Sequence, residues 1–282
     1  MHRPWSEWLD QMGHRPDSPE YEPMRQQVLE RARPAPGETV IDVGAGLGLL
    51  TFALATRVQP GGRVIAVEPA DDCRRKLLET CQSVKGESTV EVRPGRAEAL
   101  DLEAQTADLL VTRSVLIYVS NKARAFQEFA RVLVPGGRMV CWEPINHYFY
   151  QTGRLHRWFD LSSLSEIGTI IAEAEESYFG RDDPMCNFTE HDLLYAAESA
   201  GFSRLNLSVE HSIRCQTMTL EELQQILGWD THLAPTYPTF GEWLAQRLSP
   251  AQIRALLDVL RQQLVGKELR IEGARALLIG ER

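Results

Sequence analysis

The chain is short of cysteine, of long apolar runs and of basic tracts, and each shortage removes a class of function. Its five cysteines (Cys73, Cys81, Cys141, Cys186 and Cys215) are scattered, with no CxxC pair. An odd number at such spacing suits reduced thiols in a cytosol, not a disulfide framework or a thiol metal site. No stretch is long enough to span a bilayer, and the opening MHRPWSEWLDQMGHRP has no signal-peptide core. A cytoplasmic protein without membrane attachment is expected. Lys and Arg number 30 against 39 Asp and Glu, a net charge of −9. The densest basic cluster is Arg74-Arg75-Lys76, which reads as the solvated face of a helix. A polyphosphate backbone would be repelled, so nucleic acid is not an expected partner.

What is present is the composition of a globular α/β protein, with 43% hydrophobic and 24% charged residues in 282 positions. After a Pro- and Trp-rich opening with a helical stretch at 21–33, strands and helices alternate. Strands are read at 38–44, 63–69, 88–95, 107–114 and 138–144, from β-branched apolar runs. Helices are read at 47–58, 71–84 and 121–134, the last stopped by Pro135-Gly136-Gly137. This rhythm implies right-handed βαβ units and a mostly parallel sheet with helices on both faces. Beyond Pro144 it breaks. A helix is read at 163–177, another at 189–201 capped by Thr189 and Gly201, and a strand at 202–213. Helical segments follow at 218–266, and a last strand at 274–281.

The expected organisation is an N-terminal helical lid segment (1–36), a Rossmann-like core (37–144) and a lid or acceptor-site insertion (145–187). The core then continues through a helix and strand (188–215), interrupted by a helical insertion (216–268) before its last strand (269–282).

Asp42-Val43-Gly44-Ala45-Gly46-Leu47-Gly48 stands where the first strand meets the first helix. Glycines there permit a tight turn and close approach of a ligand to backbone N–H groups at a helix start. On that reasoning a branched Cβ at Gly46 would enter ligand space. A dinucleotide fingerprint would place its third glycine at Leu49, so the loop departs from GxGxxG. On its own it separates a pyrophosphate binder from a carboxylate binder only weakly. Glu68, ending the second strand, is placed to accept both hydroxyls of a ribose, or else is an exposed strand-end charge.

The segment from Thr39 to Pro144 resembles a class I S-adenosylmethionine-dependent methyltransferase of the ubiquinone/menaquinone-biosynthesis type. VIDVGAGLGLLT resembles that family's glycine motif, VIAVEP its ribose-binding strand end and RAEAL (96–100) its adenine segment. ADLLVTRSVLIYV and FARVLVPGGRMV resemble its fourth strand, next helix and fifth strand. The resemblance implies seven strands with the last antiparallel, and S-adenosyl-L-methionine as cofactor. Gly44, Ala45, Gly46 and Gly48 would then line its methionine end, and Glu68 would hold the ribose. Pro69, Cys73, Ala97 and Glu98 would surround the adenine, and Thr112, Arg113 and Ser114 would lie beneath the sulfonium. Arg96 departs from the family, which often has an Asp there to accept from the adenine amino group. Glu98 or a backbone carbonyl would have to replace it.

Methyl transfer from a sulfonium needs alignment more than acid–base chemistry, so an obvious catalytic dyad is not required. The acceptor, a small molecule, is expected over the ends of strands four and five. The nominated catalytic residues are His147, Glu143 and Tyr118, with Arg113, Asn146 and Tyr148 beside them. His147 is either a proton acceptor or an ordinary hydrogen-bonding histidine. Glu143 either binds the acceptor or anchors the lid. Arg113 either orients an acceptor carboxylate or pairs with Glu143. Trp142, Tyr148, Phe149, Tyr150, Trp158 and Phe159 either wall a site for a flat acceptor or are lid packing. Asp182-Asp183 reads as a turn, not a metal pair, and no metal is expected. The chain lacks the Asn/Asp-Pro-Pro-aromatic tetrapeptide of amino-group methylases and any acidic triplet of catechol-type enzymes. An NAD-dependent oxidoreductase and a non-catalytic S-adenosylmethionine-binding protein are the competing readings.

Overall fold

Short apolar runs rich in Val, Ile and Leu become the strands, because a strand covered on both faces has no polar side to present. The computed structural model describes residues 3–83, 89–152, 154–178, 183–230, 232 and 234–282. In chain order the elements are α1 (Trp5–Gln11), α2 (Glu22–Ala32), β1 (Thr39–Val43), α3 (Thr51–Arg57), β2 (Arg63–Val67), α4 (Asp71–Ser83) and β3 (Val90–Arg93). Next come β4 (Ala107–Arg113), α5 (Lys122–Val132), β5 (Leu133–Pro144), α6 (Asn146–Thr152), α7 (Leu155–Trp158), α8 (Ser165–Tyr178) and α9 (Glu190–Ser199). The chain ends with β6 (Ser203–Gln216), α10 (Leu220–Ile226), α11 (Phe240–Ala245), α12 (Pro250–Leu264) and β7 (Leu269–Glu281).

The seven strands form one sheet in the order β3-β2-β1-β4-β5-β7-β6. β3, β2, β1, β4 and β5 pair in parallel, and β7 runs antiparallel to β5. The strand order reverses between β1 and β4, the place where open α/β sheets leave a crevice at the C-terminal strand ends. In register, Val43 lies beside Val67 and Thr112, and Arg113 beside Trp142. These residues define the edge on which the candidate site is built.

The chain divides into two compact units. The first comprises residues 3–144, 188–209 and 275–282. In it, Met24, Val28 and Leu29 of α2 and Leu54 of α3 join Val40, Leu109, Val111, Val140, Trp142 and Leu277 in a continuous apolar cluster. α5 buries Phe126, Phe129 and Val132, with the two phenyl rings edge to face at 5.6 Å. Arg138 ties the end of α2 to the sheet, donating to the carbonyls of Ala32 and Arg33 and pairing with Glu38 at 2.8 Å. The second unit comprises residues 145–187 and 210–274. There the buried Glu175 of α8 accepts from the Leu155 N–H at 2.5 Å and holds His156 Nδ1 at 2.7 Å. Capping boxes at Thr219–Glu222, Thr239–Glu242 and Ser249–Gln252 start α10, α11 and α12.

Several boundaries differ from the sequence reading, each for a local reason. α3 begins at Thr51, not 47, because a turn closed by the Gly48 N–H on the Ala45 carbonyl (2.8 Å) comes first. Pro135-Gly136-Gly137 is not a turn outside the sheet. It lies within β5 at an irregularity where the register shifts between Ala107 and Leu109. Backbone bonds from Gly136 to Arg282 (3.0 Å) and from Arg282 to Gly137 (2.8 Å) hold it there. Thr189 starts α9 in a capping box with Asp192, while the C-cap is Ala200, with Gly201 following at φ +93°. The opening segment, in which a helical stretch was placed only at 21–33, also contains α1.

Candidate active site

The site begins with the turn after β1. Gly44 and Ala45 donate their N–H groups to the Val67 carbonyl (2.7 and 3.1 Å), which folds the loop over the end of β2. The Gly46 N–H then reaches the Glu68 carboxylate, at 2.9 Å from Oε2, and the Ala70 N–H meets Oε1 at 2.9 Å. Glu68 is therefore not an exposed strand-end charge. It is 7% exposed, and burial raises its pKa against the lowering effect of the two backbone donors. Behind it, Asp42 is 2% exposed and accepts from the Thr51 hydroxyl at 2.6 Å. Burial pushes its pKa up to about 7, and the nearby Glu68 charge adds to the rise.

A Cβ on Gly44 would stand 2.2 Å from Val115 Cγ2, so glycine at 44 lets the turn after β4 close against the loop. At Gly46 the constraint is different. Its φ is +56°, and an added Cβ would meet only the tip of Leu9 at 3.2 Å. The sequence reading gave crowding of the ligand as the reason for glycine at 46, and the backbone conformation supplies the reason seen here.

The segment expected beside the adenine is braced from α5. Leu100 N–H donates to Glu128 Oε2 at 2.9 Å, and Arg131 donates to the carbonyls of Leu100 (2.9 Å) and Leu102 (2.7 Å). Arg131 also pairs with Glu128 at 2.8 Å. Arg96 and Ala99 form a small antiparallel bridge, which buries Ala97 and leaves Glu98 partly exposed. Arg96 Nε lies 4.0 Å from Glu98 Oε2. Pro69 is exposed and open to a ligand, whereas Cys73 has no exposed surface. The placement of Cys73 against the adenine is therefore corrected: it underlies the site, and burial raises its thiol pKa far above the usual range.

At the end of β4, Thr112 is fully buried and its Oγ1 has no hydrogen-bond partner among the described residues. Ser114 takes a left-handed conformation (φ +54°) and donates its N–H to the Trp142 carbonyl at 2.9 Å. Such backbone strain persists only where surrounding structure enforces it. The enforcing group is Glu143, whose Oε1 accepts from the Val115 N–H at 3.0 Å. The N–H groups of Leu116 and Ile117 also favour its charge, and together these contacts cap the 3₁₀ turn Leu116–Tyr118. Its Oε2 has no partner among the described residues, and burial pushes the pKa up to about 7. Glu143 thus anchors a turn of the core. Its charge and that of Arg113 act on each other, but among the described residues no ion pair within 4.0 Å joins them.

Arg113 instead lies between rings, 4.9 Å from the Tyr21 centroid and 5.4 Å from that of Trp142. Tyr118 sits edge-on to Trp5 at 5.2 Å, and burial raises its phenol pKa well above the ordinary value. His14 faces Tyr21 at 4.8 Å and Trp8 at 6.0 Å. Burial and the Arg113 charge lower the His14 pKa to about 3. Trp5, Trp8, His14 and Tyr21 are residues that sequence reasoning missed. Trp5 and Trp8 at helical spacing between Pro4 and Gly13 were the available signal for α1. The helix is fastened to the core by the Ser6 N–H on Asp72 Oδ2 at 2.6 Å.

His147 lies in the second unit, on α6, with its ring 5.7 Å from Tyr148, and Tyr148 is 4.6 Å from His211. Of the aromatic group read from the sequence, Trp142 alone lies in the first unit, packed in its apolar cluster. Asp183 accepts from the Met185 N–H at 2.8 Å, as a turn residue does; Asp182 lies outside the described residues. Cys73, Cys81, Cys141 and Cys215 are free thiols. Among the described residues no helix is long and apolar enough to cross a membrane, and no three His, Cys, Asp or Glu side chains cluster at metal-binding distance.

Residues 41–141 match the methyltransferase domain family. The ubiquinone/menaquinone biosynthesis C-methyltransferase of Hydrogenovibrio crunogenus is 29% identical over 154 residues, covering 55% of this chain and 61% of that protein. This chain spans less than two thirds of the length of the first curated relatives it matches. Among solved structures, a SAM-dependent methyltransferase from Aquifex aeolicus matches with a TM-score of 0.50 and 19% identity, over 71% of this chain and 89% of that one. A phosphoethanolamine N-methyltransferase from Haemonchus contortus, complexed with S-adenosylhomocysteine, matches with a TM-score of 0.53 and 15% identity, over 99% of this chain and 60% of that one. The fold is that of these methyltransferases, and the family match, residues 41–141, lies within the first unit.

Proposed function

We propose that this chain transfers a methyl group from S-adenosylmethionine to a small-molecule acceptor, at the strand ends of its first unit. The observation that carries the reading is the direct bond between the two halves of the expected site, the Gly46 N–H on the Glu68 carboxylate. It sets a glycine-rich turn and an acidic strand end side by side, as an adenosyl amino acid requires. The residues fit that group. Glu68 keeps lone pairs for ribose hydroxyls, the loop has glycine at 44, 46 and 48 with only Ala45 and Leu47 between them, and the braced 96–102 segment supplies an edge for a base.

Bound S-adenosylmethionine supplies a methyl group on a leaving group that needs no further activation. The protein's share of the work is therefore to hold two reactants in line and keep water out, which is worth roughly 7–11 kcal/mol. Gly44 to Gly48 and Glu68 fix the cofactor. Arg113, Tyr118 and Tyr21, with the indoles of Trp5 and Trp8, offer a partly buried aromatic surface for a flat acceptor. The matched C-methyltransferases are named for quinone biosynthesis, and an aromatic acceptor of that kind suits such a surface. A metal-free reaction belongs to the same proposal. The net charge of −9 sets the chain against nucleic acid as acceptor.

Two measurements test the reading. S-adenosylhomocysteine should raise the melting temperature and NAD should not, because only a specific ligand stabilises by mass action. Stabilisation by NAD alone would install the oxidoreductase instead. Incubating the protein with labelled S-adenosylmethionine and a panel of phenols, quinols and amines should then transfer label. Tight cofactor binding with no transfer to any extract would favour a non-catalytic binding protein.

A further inference from the structure

The end of β4 carries a positive charge that forms no ion pair with a carboxylate among the described residues. Arg113 is partly buried, and its Nε, shielded from water, has no hydrogen-bond partner among the described residues. Its guanidinium interacts with the Tyr21 hydroxyl and lies over the Tyr21 and Trp142 rings. A second guanidinium, that of Arg275, is 5.7 Å from the Trp142 centroid.

The other groups facing Arg113 supply little negative charge. His14 is neutral throughout the physiological range, since burial and Arg113 lower its pKa to about 3. Tyr118 keeps its proton, because burial pushes the phenol up. Among the described residues Glu143 is the carboxylate whose charge acts on Arg113, and it does so without forming an ion pair. Its Oε1 serves the turn after β4, and burial brings it to about 7, where it is only partly charged. A desolvated cation without a close anion is costly, and it is retained where a ligand provides the missing charge.

We propose that Arg113 seats an oxyanion of the bound ligand, held by the planar guanidinium in the slot formed by Tyr21 and Trp142. The inference rests on the methyltransferase reading of this unit. The oxyanion has two possible sources, the amino-acid carboxylate of the cofactor or a carboxylate or phenolate of the acceptor. Both suit a fork that donates two parallel hydrogen bonds. An acceptor that arrives as an anion needs no protein base, and burial beside Arg113 leaves the neighbouring His14 imidazole weakly basic.

Calorimetry on the wild type, Arg113→Gln and Arg113→Lys decides, using three probes. These are S-adenosylhomocysteine, 5′-methylthioadenosine (the same nucleoside thioether without the amino acid) and benzoate added to protein saturated with S-adenosylhomocysteine. Loss of tenfold or more in S-adenosylhomocysteine affinity in Arg113→Gln, with 5′-methylthioadenosine unchanged, places the cofactor carboxylate on Arg113. The same loss for benzoate, with S-adenosylhomocysteine unchanged, places the acceptor there. In either case Arg113→Lys should recover part of the loss, because it restores charge without the fork. Equal loss of all three probes makes Arg113 a packing residue and overturns the proposal. So does wild-type affinity of Arg113→Gln for both anionic probes, or failure of benzoate to bind the wild type while S-adenosylhomocysteine binding is indifferent to the variant. A wild type that binds no S-adenosylhomocysteine would instead sink the methyltransferase reading beneath it.

Discussion

An alanine at position 44 would put its methyl carbon 2.2 Å from Val115, a β-branched side chain with little rotamer freedom. Gly44→Ala should therefore cost about 1–3 kcal/mol of stability, as overpacking does, read as a lowered urea midpoint with unchanged slope. Gly46→Val should behave differently. Its neighbour is the flexible tip of Leu9, so the penalty is that of a branched residue at positive φ, about 1–2 kcal/mol. It should appear mainly as weakened S-adenosylhomocysteine binding, and wild-type affinity by calorimetry would move the ligand away from this loop. At this scale the sequence made the positions of the loop and of Glu68 plain, because glycine spacing and a strand-end acid are local signals. Partnerships between distant residues were not legible. Nothing near Glu143 announces that it caps the turn after β4, and nothing near Arg113 points to His14 or Tyr21.

Among the elements, the 96–102 segment has little regular structure and depends on α5 for its shape. Glu128 is 3% exposed and gathers the Leu100 N–H, Arg131 and Arg124 on one carboxylate. Glu128→Ala leaves the Leu100 N–H and the half-exposed Arg131 without their carboxylate, at a cost of about 1–3 kcal/mol. Glu128→Gln should retain part of that stability yet still loosen the segment, seen as faster hydrogen exchange at Leu100. Unaltered exchange there would show that the brace is dispensable. The parallel strands were legible as elements, since continuous apolar runs have few other solutions. The starts of α10, α11 and α12 also carried a readable sign in their Thr/Ser-x-x-Glu/Gln boxes. α1, only seven residues long, was hidden by its brevity and by the prolines and charges around it.

Across the whole molecule, the buried carboxyl groups of Asp42 and Glu143 act against buried His14, which is held neutral in the fold and whose contribution is lost as pH falls below its unfolded value. Asp42 and Glu143 each titrate near 7 in the folded protein, well above their unfolded values. Between about pH 4 and 7 the folded state keeps protons on these two groups that the unfolded state has released, so their contribution falls as pH rises. Each group contributes up to about 1.4 kcal/mol per pH unit in that window. Glu128 acts in the opposite sense. Its pKa is lowered, mainly by its bond to Arg131, so its contribution is present above the unfolded value and is lost on acidification below it. The urea midpoint should accordingly be highest in mildly acidic buffer and decline towards pH 8. Asp42→Asn should flatten that decline and be more stable than the wild type at pH 8; an unchanged slope would mean that Asp42 is ionised in the fold.

The Glu68 carboxylate has about four acceptor sites, and the backbone of Gly46 and Ala70 already takes two. Two remain, the number of hydroxyls on a ribose. A 2′-deoxy analogue would leave one of them dry inside a nearly closed surface, at a cost of about 1–3 kcal/mol. The chain should thus discriminate ribo- from deoxyribonucleosides by subtraction of a single oxygen, with no steric gate needed.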